Sequence, residues 1–513
     1  MHPVQAERKF QPYEGLRSQN LRISNAILLA IAAAVTLLHL LTGNRYGFHR
    51  DELQFLSDAR HLDWGFVSYP PLTPVVERLA LTLFGLSIAG LRLFSMLAQA
   101  AVIVTAGLMA RELGGRRMAQ VTAALAVAFS PICIFEGTQF QYTSFDFLWW
   151  VLIAYFVLRL LNSEDPRWWL AIGAVVGLGL QTKYSIVFYI AGILAGVAFT
   201  SARRFVRSPW FWAGVALALL IFLPNFIWQV RNHFISYQFL RHIHARDVAL
   251  GRARGFWRDQ FLLCANFAAV PLWLAGIFGF ARSPRYRMLA YMYAVPVAIF
   301  WLSKGRGYYT AGTYPAITAM GIVMAARTLA PLPAITRRTA FIAWSAEFVA
   351  ISACLCAVIL PIASGGALFK FALDRNTDLR EEFGWNEMVR SVASVRDSLT
   401  PAQRTSYGIV TGNYGEQGAI EMLGPAYHLP PPISTTNSAW LRGYPTPPPT
   451  TLIVLGHSRV EADQDFTACR LAGHNGNSRN IRNEESQFHP DIFVCGPPRL
   501  PWPEFWLHSL NFG

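Results

Sequence analysis

The stretch FHRDELQFLSDARHLDWGFVSYPPLTPVVERLA, residues 48–80, holds Asp51, Glu52, Asp58, Asp63 and Glu77 directly after an apolar span. A carboxylate at a membrane surface can take the proton of an acceptor hydroxyl. Adjacent acids point to different faces of any helix, so one of Asp51 and Glu52 can face a cavity while the other anchors the loop. The competing reading is helix chemistry, because the dipole favours acids in a first turn. Asp146, in QYTSFDFLWW (141–150), stands close to hydrocarbon, where an acid is costly and therefore a functional candidate. Its plainer role is an interfacial cap at a helix start.

Cations gather at the same boundary. Lys183 sits in QTKYS, and Lys304 and Arg306 sit in SKGRGYY, where two glycines and Tyr308 can bring backbone and charge close to a phosphate. Snorkelling of Lys304 to the interface is the alternative. Two longer segments add Arg45, Arg50, Arg60 and Arg78, then Arg231, Arg241, Arg246, Arg252, Arg254 and Arg258. Bases on an outer face run against topology preference, and an anionic ligand is one reason for them. His242 and His244 face apart on a helix and lack a third ligand, so a divalent metal has no supporting ligand set and no cofactor is implied. No Walker A, dinucleotide or G-x-S-x-G pattern occurs, which leaves a cytosolic nucleotide site without support.

The elements that must position these residues are membrane helices. Of 513 residues, 53% are hydrophobic and 14% charged, against about 25% charged in ordinary soluble chains. The net charge of +14 fits basic cytoplasmic loops and anionic headgroups; the bases lie between apolar spans, which argues against nucleic acid. About eleven apolar spans are expected, near 23–41, 87–110, 118–135, 144–161, 168–182, 185–200, 209–228, 260–281, 288–302, 308–327 and 339–363. The first follows a polar segment with Arg8, Lys9, Arg17 and Arg22 and reads as an uncleaved helix. Short basic connections such as RELGGRR (111–117) and ARRFVRS (202–208) place the N-terminus in the cytoplasm and residues 42–86, 229–259 and the tail outside.

The chain therefore divides into a membrane module, 1–363, and a polar, Pro-rich unit, 364–513. Ser406–Gly412, Thr451–Gly456 and Asp491–Cys495 read as strands, and Trp385–Leu399 and Gly415–Tyr427 as helices, giving a small α/β domain. Cys469 and Cys495 are the cysteines outside apolar spans and are a candidate disulfide if the tail is extracytoplasmic.

The series RDELQFLSDARHLDWGFVSYPPLTP, SFDFLWW, GLGLQTKYSIVF and KGRGYYTAGTYP resembles the family 39 type of GT-C glycosyltransferases, which includes protein O-mannosyltransferases and the bacterial lipid A aminoarabinose transferase. NYGEQGAIEMLGPAYHLPPPISTTNSAW and PWPEFW resemble bacterial members of that family. The resemblance implies a mainly α, polytopic GT-C bundle with amphipathic helices in the first outer loop. It implies a sugar donor on a polyprenyl or dolichyl phosphate, used on the non-cytoplasmic face of a bacterial inner membrane. Asp51 matches the acid that deprotonates the acceptor, Asp146 a second acid of the site, and Lys183, Lys304 and Arg306 the bases that hold phosphate. Asp58 matches nothing in the motif and is expected to be dispensable. Where relatives carry Lys before the Pro-Pro pair, this chain has Tyr69 before Pro70 and Pro71, which touches the acceptor or loop contact made there.

Transfer from a lipid phosphate needs a base for the acceptor and cations for the departing phosphate, here Asp51 and the Lys/Arg set with Arg258 and Tyr308. No second carboxylate offers itself as nucleophile, so a single inverting displacement is expected. The acceptor is a lipid, glycan or protein. The rival is a transporter or flippase of a lipid-linked sugar, but the chain lacks the paired halves that such proteins show.

Overall fold

The computed structural model describes residues 11–513, with side chains from Arg22 onward. Arg8, Lys9 and the side chain of Arg17 lie outside the described residues.

Five helices are individually long and apolar enough to cross a membrane: Arg22–Thr42, Ile88–Glu112, Tyr142–Ser163, Pro209–Arg231 and Ala334–Ile359. Three bent pairs raise the number to eight among the described residues: Arg117–Ala128 with Pro131–Thr138, Ile186–Phe199 with Ser201–Arg207, and Arg252–Leu262 with Phe267–Arg282. The first pair breaks at Ser130, whose hydroxyl caps a new helix beginning with Pro131. The remaining apolar stretches form shorter helices, including Trp168–Leu180 and Arg287–Leu302. A helix of 13 residues such as Trp168–Leu180 rises only about 20 Å, short of the ~30 Å hydrocarbon core. Helix length thus qualifies fewer crossings than the eleven apolar stretches suggest. Leu219, Leu220, Ile335 and Val349 are 60–71% exposed on these helices, a surface stable only against lipid.

The loop after the first membrane helix folds into two helices, Arg50–Arg60 and Leu72–Phe84. His49 caps the first: its Nδ1 accepts from the Asp51 N–H, and its own N–H donates to Glu52. Leu72–Phe84 is amphipathic, burying Thr73, Glu77 and Ala80 while Val75, Leu79 and Leu83 face outward.

In the tail, five strands form one sheet: β1 (Tyr407–Thr411), β2 (Ile433–Ser434), β3 (Thr451–Val454), β4 (Arg470–His474) and β5 (Asp491–Cys495), in the order β2-β1-β3-β5-β4. β2, β1 and β3 are parallel; β5 and β4 run antiparallel to their neighbours. The three strands expected from sequence are β1, β3 and β5, whose residues are almost all buried. β2 has only two residues, and β4 is largely exposed, so neither has the apolar run that marks a strand. Cys469 and Cys495 form a disulfide that joins β4 to β5.

The tail helix Tyr414–Leu423 lies directly on the loop helix Arg50–Arg60. Gly418 makes this approach: a Cβ there would stand 2.2 Å from the Leu53 carbonyl oxygen. A polar seam closes the contact. Ser57 donates to Glu421, Gln417 donates to Ser57, and Arg442 reaches both Asp58 and Ser57.

Candidate active site

Glu52 has no exposed surface. It accepts from Arg92 Nε and Nη2, from the His49 N–H and from the Phe140 N–H, each at 2.8 Å. Arg92 also donates to the Gly43 and Gly47 carbonyls and pairs with Glu382 of the tail. A carboxylate with both oxygens engaged at zero exposure cannot reach a substrate. Of the Asp51–Glu52 pair, Glu52 is the acid that anchors the loop. Burying Arg92 without partners would cost several kcal/mol, and two carboxylates and two carbonyls supply them. A lone arginine inside an apolar span was the sequence signal for this anchor.

Asp51 points to the other face, where it is only partly buried. Tyr414 Oη donates to its Oδ1 at 3.0 Å, and Gln141 Nε2 donates to its Oδ2 at 3.0 Å. Burial alone would raise its pKa, but His49 and Arg50 and these two donors outweigh that effect and hold the group below the ordinary carboxylate value. It is therefore an ionised acceptor of protons at neutral pH.

Gln141 opens the helix Tyr142–Ser163, and the next residue continues the site: Lys183 Nζ lies 5.3 Å from the Tyr142 ring and 4.2 Å from that of Tyr309. Lys183, Asp146, Glu136, Thr143, Trp150, Tyr308, Tyr309 and Gly312 line one cavity. Asp146 accepts from Trp150 Nε1 at 3.1 Å and Ser185 Oγ at 3.3 Å, and stands 3.9 Å from Lys183 Nζ. Lys183 thus faces a cavity whose walls combine one cation, two acids and aromatic rings.

Arg306 is tied to Asp247 by two parallel bonds of 2.7 and 2.8 Å, and its Nη1 donates to Tyr308 Oη at 3.1 Å. Asp247 also receives Arg252. This acid, one of the missed residues with Gln141, Tyr414, Glu136 and Arg442, fixes Arg306 beside the cavity. Lys304 and Arg258 are not brought in. Lys304 is exposed on the turn after Leu302, itself 73% exposed, and the Arg258 side chain is 72% exposed with Asp259 at 3.4 Å. Neither lines the cavity.

Tyr69, Pro70 and Pro71 are buried. The Tyr69 hydroxyl donates to Asp58, and its ring packs on Phe55 at 5.0 Å, so it shapes the loop. Asp58 is built into the contact between loop and tail. It is 2% exposed, is held by Tyr69 and Arg442, and burial pushes its pKa up to about 6 against the pull of Arg442. Several arginines of the loop after the first helix have protein partners: Arg45 donates to the Ile362 carbonyl, Arg50 pairs with Glu484 and Glu485, and Arg60 donates to the Glu421 carbonyl. For these no anionic ligand is needed. Among the described residues no group of three or more His, Cys, Asp or Glu side chains is arranged to hold a metal ion.

The fold resembles the crystal structure of ArnT from Cupriavidus metallidurans bound to undecaprenyl phosphate, with TM-score 0.52 and 16% identity over 91% of this chain and 97% of that one. The fold is GT-C. Residues 68–228 of this GT-C chain match a family described as dolichyl-phosphate-mannose-protein mannosyltransferase. The lipid A galacturonosyltransferase RgtD of Rhizobium johnstonii is 26% identical over 245 residues, 46% of this chain and 50% of that protein. The undecaprenyl phosphate-alpha-4-amino-4-deoxy-L-arabinose arabinosyl transferase 1 of Pseudomonas fluorescens is 26% identical over 247 residues, 44% of this chain and 43% of that protein. The chain thus matches about half the length of these curated relatives. The GT-C fold and the long apolar helices make it a multi-pass membrane protein.

Proposed function

We propose that the chain is a membrane glycosyltransferase that moves a sugar from a polyprenyl phosphate to an acceptor hydroxyl, with inversion and with Asp51 as general base. The observation that carries this reading is the junction Gln141–Tyr142: one residue holds the carboxylate of Asp51, and the next flanks Lys183 in the cavity. The arabinosyl transferase relative named for an undecaprenyl phosphate sugar and the ArnT bound to undecaprenyl phosphate support this class of donor.

In this reading the acceptor oxygen attacks the anomeric carbon as the bond to the phosphate oxygen breaks. The acceptor proton passes to Asp51, and the phosphate takes the bonding pair. Lys183 stabilises that charge most where water is excluded, and Arg306, fixed by Asp247, adds a second cation beside Tyr308. Asp146 holds Lys183 through the 3.9 Å contact. The site faces the periplasm of a bacterial inner membrane, with the N-terminus cytoplasmic and the tail, from about 364, outside. A phosphatase fused after Gly513 is then active and one fused after Arg117 inactive; the reverse pattern overturns the orientation. Purified protein in vesicles, given a panel of undecaprenyl-phosphate-linked sugars and envelope lipids, glycans or proteins as acceptors, should release undecaprenyl phosphate only when an acceptor is present. Movement of the intact donor across the vesicle without release would favour a flippase.

A further inference from the structure

Asp51 receives one donor on each oxygen, and they come from distant parts of the chain: Gln141 at the start of a membrane helix and Tyr414 at the start of a tail helix. Tyr414 is itself held. Its helix is capped by Asn413, and Arg50 lies over its ring at 4.6 Å. Arg50 is gripped by Glu484 and, at 3.7 Å, by Glu485, which has no exposed side-chain surface and no hydrogen-bond partner for either oxygen among the described residues. The next tail residue has no side chain for a reason: a Cβ at Gly415 would come within 2.7 Å of Trp385, 3.2 Å of Glu485 Oε1 and 3.3 Å of the Arg50 Cβ. Loop helix and tail helix therefore meet face to face at the carboxylate.

We infer that Tyr414, steadied by Arg50 and Glu485, is a positioning residue for Asp51, so that the base is complete only when the tail is docked on the first loop. This rests on Asp51 as the base of the proposed reaction. A carboxylate that can rotate presents its lone pairs to the acceptor for only part of the time; donors on both oxygens select one orientation. The charged and titratable groups facing Asp51 are His49 and Arg50 on its own segment, Tyr142 on the membrane helix, and Tyr414, Glu381 and Glu485 on the tail. Of these, Tyr414 alone gives its side chain a hydrogen bond.

The test is Tyr414→Phe, which keeps the ring under Arg50 and removes one donor. Losing a hydrogen bond to the charged form raises the pKa of Asp51, so the acid limb of the rate profile should move up by about one unit, since such bonds are worth about that much. On the plateau, kcat for undecaprenyl phosphate release should fall roughly tenfold with donor KM unchanged. Ser57→Ala, at the loop–tail contact but not on Asp51, gives the effect of weakened docking alone and should leave the acid limb in place. An unmoved limb with unchanged kcat in Tyr414→Phe overturns the inference. So does a lower melting temperature with an unmoved limb, which would make Tyr414 a structural contact. Asp51→Asn in the same assay separates the two claims: if it abolishes turnover while Tyr414→Phe is silent, only this inference fails; if it retains turnover, both fail.

Discussion

Tyr414 donates its hydroxyl to Asp51 across 363 positions of chain, at 3.0 Å. A residue of the polar tail thus touches the carboxylate that follows the first membrane helix. Tail and first loop pack as one unit at this carboxylate.

That unit depends on Gly418. Any side chain there meets the Leu53 carbonyl, so Gly418→Val should separate the helices Arg50–Arg60 and Tyr414–Leu423. Limited proteolysis should then cut the tail faster, and turnover should fall at least tenfold. A tail as resistant as wild type would mean that the close contact is not needed.

Lys183 and Lys304 should behave differently. Lys183 lines the cavity and Lys304 does not. Lys183→Met should weaken undecaprenyl phosphate binding by roughly 10–100-fold, as expected for losing a charge-assisted bond. Lys304→Met should leave the affinity within about a factor of two, as for a residue that snorkels. Equal losses would return Lys304 to the phosphate site.

Around Arg50 and Arg92 the tail packs several acids whose pKa is raised. Burial and then Glu485 push Glu381 and Glu416 up to about 8, and burial pushes Glu382 up to about 7. In the unfolded chain these groups lose their protons near pH 4.5, so between about 4.5 and 8 the folded state binds more protons and stability falls as pH rises. Asp51 and Glu421 are shifted downward and contribute nothing to the slope in that window. The melting temperature should therefore be higher at pH 6 than at pH 8, and Glu485→Gln should flatten the difference. A melting temperature that rises over the same interval would contradict this account of the cluster.

The disulfide Cys469–Cys495 closes a loop of 26 positions and should stabilise the tail by roughly 3 kcal/mol. Cys469→Ser with Cys495→Ser should lower the melting temperature of the tail. Thiol labelling of the unfolded, unreduced wild-type protein should find neither position free; labelling of both would show that the bridge does not form.

Much of this was legible in sequence because its signals are local. Apolar runs mark the helices, buried apolar strands mark β1, β3 and β5, and the motif around RDELQFL marks the loop. The count of crossings was less legible, because Ser130–Pro131 and short helices such as Trp168–Leu180 interrupt the runs. The partners of the site were hidden for another reason. Asp247, Arg442 and Tyr414 act over tens to hundreds of positions, and nothing in their neighbourhood announces the contact. Asp58 likewise has a distant partner in Arg442, and Lys304 stands exposed on a turn.

The central claim is that Asp51 takes the acceptor proton. Asp51→Asn keeps the size of the side chain and removes its basicity, and Glu504→Gln, on an exposed tail acid, is the control. The direct measurement is acceptor-dependent release of undecaprenyl phosphate by the purified variants, together with their affinity for undecaprenyl phosphate. Loss of ~10²–10⁴-fold in rate, with affinity unchanged and the control at wild-type rate, is the predicted result. Near-normal turnover by Asp51→Asn would contradict the account and move the search for the base to Asp146.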